Sequence, residues 1–123
     1  NTIKCQSKRD IEQSRHYIIE QLRGPIKGVF DYIVLICPTY AKTKTYRGFG
    51  ENDLRLLVVS PDASNCDEIN DLLEHCVTLF SGTNTLLVSD YCAVSKDLKK
   101  RSNKFINLGF SGKHEGLSVW VLT

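Results

Sequence analysis

Apolar positions along this chain follow two rhythms, one helical and one of near-continuous runs. Ile11, Ile18, Ile19 and Leu22 share a helical face, and Ser7 with Asp10 three residues later marks the start of that helix. Gly24-Pro25 ends it. Residues 29–37 form a β-branched, nearly unbroken apolar run that stops at Pro38, as a strand covered on both faces does. Residues 41–53 are polar, carry Gly48 and Gly50, and predict a loop. A second apolar run spans 54–59 and is broken by Ser60-Pro61. Ser64 with Asp67 opens another helix, whose stripe of Ile69, Leu72, Leu73, Cys76, Val77 and Phe80 ends before Gly82. Residues 85–89 predict a third strand. Ser95 opens a last helix through Leu98, Phe105, Ile106 and Leu108, and 117–122 give the final strand.

Runs separated by helices predict an α/β fold of three layers with a mainly parallel sheet. Ile33, Val34, Leu35, Leu87, Val88, Val119 and Val121 should lie in that buried sheet. Right-handed crossovers gather the carboxyl ends of the strands on one edge, where Pro38-Thr39, Asp90 and Thr123 should meet.

Composition narrows the picture. A chain of 123 residues fits one domain, and 41% hydrophobic residues suffice for a core. The net charge of +2 does not argue for a nucleic acid or a membrane surface as partner. No apolar run approaches the roughly 20 residues of a membrane helix. Five cysteines, with no C-x-x-C pair, speak against a disulfide frame or zinc knuckle and for a reducing, cytoplasmic compartment. Cys37 and Cys76 sit where small buried thiols usually do. The start at Asn1 and the lack of methionine suggest a piece of a longer protein.

Candidate chemistry centres on Asp90, at the end of the run TLLVSD. A carboxylate there is either the acid that holds the water shell of Mg²⁺ in P-loop NTPases or a polar stop that begins a turn. A phosphate cradle would favour the first reading, but no intact G-x-x-x-x-G-K-[ST] occurs. Gly112-Lys113 is followed by His114 and preceded by Asn107 where the first glycine belongs. Lys96, Lys99, Lys100, Arg101 and Lys104 form a basic helix, either a solvated face or a phosphate-neutralising one. His16, His75 and His114 lack metal-ligand spacing.

Two long stretches, FDYIVLICPTYAKTKTYRGFGENDLRLLVV and TNTLLVSDYCAVSKDLKKRSNKFINLGFSGKHEGLSVWVLT, resemble the DNA-packaging ATPases of large DNA viruses, in the FtsK/HerA branch of P-loop NTPases. The resemblance implies that Asp90 is the Walker B acid and metal-handling residue, with Tyr91 in place of the usual second acid. It puts Lys113 where the family has a charge-stabilising arginine. HYIIEQLRG resembles the helix after the phosphate loop, so Arg15 stands where phosphates would be met, and Thr39 joins it as a nucleotide-side residue. No glycine precedes Gly24 and no apolar strand precedes the helix. The resemblance therefore implies a single, truncated P-loop NTPase-like domain over 1–123. ATP and Mg²⁺ would be its cofactors, DNA and further copies of the chain its partners, and no membrane would be involved. Catalysis would be lost, and the sheet edge beside LSVWVL should stand uncovered. The other reading is a non-enzymatic α/β interaction module.

Overall fold

The computed structural model describes residues 2–24, 28–49, 54–61, 66–80, 82–92, 100 and 117–122. Strand β1 (Thr2–Ile3) leads into helix α1 (Lys8–Arg23). Strand β2 (Tyr32–Ile36) is followed by two 3₁₀ turns, Tyr40–Lys42 and Lys44–Tyr46, and by strand β3 (Leu56–Val59). Helix α2 (Cys66–Phe80), strand β4 (Thr85–Asp90) and strand β5 (Leu117–Leu122) complete the described elements. The predicted last helix, its basic residues other than Lys100, and Lys113 and Thr123 lie outside the described residues.

All paired strands run parallel, in the order β1-β5-β4-β2-β3. The α/β class with a parallel sheet is therefore as expected. β4 sits at the centre and is buried at every position, which is why its sequence reads as a continuous apolar run. Successive side chains of β2 and β4 point to opposite faces. Ile33, Leu35, Leu86 and Val88 join Ile18, Ile19 and Leu22 of α1 in one cluster. Val34, Ile36 and Leu87 join Leu73 and Cys76 of α2 in another. The two helices thus cover opposite faces of the sheet. The residues expected in the sheet lie there, Val119 being half-buried at the α2 face.

Some expectations are corrected. A strand does precede the first helix: Thr2 pairs with Val121 and Ile3 with Leu122, so the edge beside β5 is covered by β1. Two residues are too few to show a period, which hid this strand in the sequence. β2 starts later than the apolar run, since Val29 is exposed. Leu54, at the head of the next run, is also outside its strand and exposed. The segment after β2 is more than a polar loop. It buries Tyr46 and Phe49 in the α1-side cluster. Parallel neighbours such as β2 and β3 need a crossover to join them. Here the described part of that crossover is two 3₁₀ turns with aromatic side chains in the place where a helix usually packs.

Candidate functional site

At the carboxyl end of β4, Asp90 shares the strand face of Leu86 and Val88, and so points to the α1 side. α1 places Arg15 opposite it. Ser7 caps this helix by accepting from the Asp10 amide at 3.1 Å, and Arg15 then falls on the stripe of Ile18, Ile19 and Leu22. Its Nε donates to Asp90 Oδ2 at 2.7 Å and its Nη2 to Oδ1 at 3.2 Å, a two-pronged pairing. The Tyr46 hydroxyl donates to Oδ2 at 2.5 Å, and the Cys92 amide donates to Oδ1 at 3.2 Å. Each carboxylate oxygen therefore accepts two hydrogen bonds, and Asp90 is only 1% exposed.

Tyr46 is held from its other sides as well. Its ring stacks on Tyr40 at 6.3 Å between centroids, tilts against Phe49 at 6.4 Å, and lies 5.6 Å from the Arg15 guanidinium carbon. Burial opposes the Arg15 charge, but the hydrogen bond and charge of Asp90 outweigh it, so the guanidinium is held more firmly protonated than usual. Burial, and then the negative charge of Asp90, push the Tyr46 hydroxyl well above its ordinary range. The Cys37 thiol is pushed up for the same reasons in the same order, as is that of Cys92. These groups stay protonated at neutral pH and are poor nucleophiles.

The structure thus brings two of the sequence candidates, Arg15 and Asp90, into direct contact. Thr39 is half-buried, and its hydroxyl lies 3.2 Å from that of Thr43 and 3.7 Å from the Cys37 thiol. Lys113 is outside the described residues. Among the described residues no group of three or more histidines, cysteines and acids is placed to hold a metal ion. Tyr46 was not legible as a site residue, since it stands alone among polar neighbours. Arg15 did carry a signal: a cation on an apolar helix stripe calls for a buried acid opposite.

The chain matches no protein-family profile and no curated protein. The fold is similar to that of SulA from Pseudomonas aeruginosa. The match covers 100% of this chain and 97% of SulA, with a TM-score of 0.52 at 16% identity. At that identity SulA speaks for the fold alone. It also corrects the resemblance drawn from the sequence, because the likeness is to SulA and not to a P-loop packaging ATPase. The apolar runs that suggested the ATPase family are those any buried parallel sheet requires. The ATP-binding, DNA-packaging reading is set aside with it.

Proposed function

We propose that this chain is a non-catalytic α/β interaction module in which Asp90 is an internal anchor. One observation carries the reading: both oxygens of Asp90 are taken up by Arg15, Tyr46 and the Cys92 amide in a site closed to water. A Mg²⁺ acid must offer an oxygen to the metal or to its water shell, and this one has its acceptor sites filled. Arg15 is spent on the same pair and is not offered to a phosphate. The anchor ties α1, β4 and the 40–49 segment together at the carboxyl edge of the sheet, where α/β proteins present their binding loops.

The test is titration of the purified chain with Mg²⁺ and ATP, followed by phosphate release, beside an Asp90→Asn variant. No turnover is expected in either. Turnover in the parent chain that vanishes in the variant would overturn the reading. We also assign the chain to a reducing, cytoplasmic compartment, supported by the free thiols of Cys5, Cys37, Cys76 and Cys92. Among the described residues no helix is long and apolar enough to cross a membrane.

A further inference from the structure

We infer that the surface formed by residues 40–48 docks an acidic segment of a partner protein. Between Asp31 and Glu51 the chain carries Lys42, Lys44 and Arg47 and no carboxylate. All three cations are exposed and, with Tyr40, Thr43 and Gly48, line one concavity of about 360 Å³. None of the three has an ion pair with a described residue. Cations gathered with no counter-charge among the described residues raise the local potential and attract an anionic partner.

The scaffold beneath them is fixed. Amides of Tyr40, Lys42, Thr43, Tyr46, Arg47 and Phe49 each donate to the carbonyl three residues back. Gly48, at φ 73°, takes the left-handed turn that lets the segment reverse. Tyr46 reaches down from the middle of the segment to Asp90. The anchor of the interaction module therefore holds a basic surface in shape, and this inference rests on that reading. Preorganised cations lose less freedom on binding than cations on a loose loop.

The same geometry selects the class of partner. A phosphate nest needs free backbone amides converging on one point, and these amides are spent within the turns. Nucleic-acid binding favours many cations and exposed stacking rings. Here the net charge is only +2, Tyr46 is buried and Tyr40 is half-buried. Side-chain cations spaced along a short turn suit the spaced carboxylates of an acidic peptide.

The experiment uses a fluorescein-labelled peptide of alternating Glu and Gly, read by anisotropy at low and physiological salt. Three proteins are compared: the parent chain, the triple variant Lys42→Glu, Lys44→Glu, Arg47→Glu, and a control triple, Lys8→Glu, Arg9→Glu, Lys100→Glu. The control changes the net charge equally at exposed positions elsewhere. The loop triple should lose more than about tenfold in affinity, and the control less than about threefold. Equal losses in the two triples, or no peptide binding by the parent chain, would overturn the inference. So would tighter binding of a labelled single-stranded oligonucleotide or of inorganic phosphate than of the peptide. Circular dichroism of each triple shows that it is folded. Failure here, with no ATP turnover, removes the acidic partner and leaves the non-catalytic reading standing.

Discussion

The Tyr46 hydroxyl shows how much one proton can do in a closed site. It gives the shortest hydrogen bond that Asp90 accepts, and its ring is held by Tyr40, Phe49 and Arg15. Tyr46→Phe keeps the ring and removes the donor. A hydrogen bond to a buried charged group is worth about 2 kcal/mol, so the variant should lose stability by that order in denaturant unfolding. The pH dependence follows from the raised hydroxyl. An unfolded tyrosine releases its proton near about pH 10, while the folded one keeps it. The contribution is thus fully present below about pH 10 and is lost as pH rises above it toward the folded value. The gap between parent and variant should therefore be wider at about pH 8 than at about pH 10.5. A gap that grows with pH would show that the hydroxyl is not held protonated by the fold.

At the scale of elements, the sequence was readable where a period or a cap repeats over several residues. α1 begins at its capping serine and ends at Gly24, and α2 ends before Gly82, as their patterns require. Ser7→Ala removes the acceptor of the Asp10 amide and should cost about 1 kcal/mol, measured by thermal unfolding. An unchanged transition would mean that the cap is replaced by water without loss. Less was readable where an element is short or held by distant contacts. β1 has two residues, and its pairing with β5 depends on chain more than a hundred residues away. The 3₁₀ turns gain their fixed shape from Tyr46 and Phe49 in the core, which no local period announces.

For the whole molecule, the α/β class followed from runs and helices in alternation, because a sheet covered on both faces leaves few other patterns. The site did not follow in the same way. Asp90 and Arg15 each stand out alone in the sequence, but their contact spans 75 residues and is set only by the strand order and the placement of α1. Apolar runs of that kind are shared by many α/β proteins, so they support the α/β class but not the likeness to packaging ATPases, which the similarity to SulA overturns. The similarity to SulA covers the whole chain and bears the same limit, a fold without a function.

The central claim is that Asp90 is an anchor whose worth lies in its pairing with Arg15. A double-mutant cycle by denaturant unfolding tests it most directly, with Arg15→Met, Asp90→Leu and the two combined. Removing one partner of a buried pair strands the other, at about 3–5 kcal/mol. Each single variant should show a loss of that order, and the combined variant should lose less than their sum by a coupling of about 1–3 kcal/mol. Single losses below about 0.5 kcal/mol that add in the combined variant would contradict the account, since Asp90 would then be free for work other than holding the fold together.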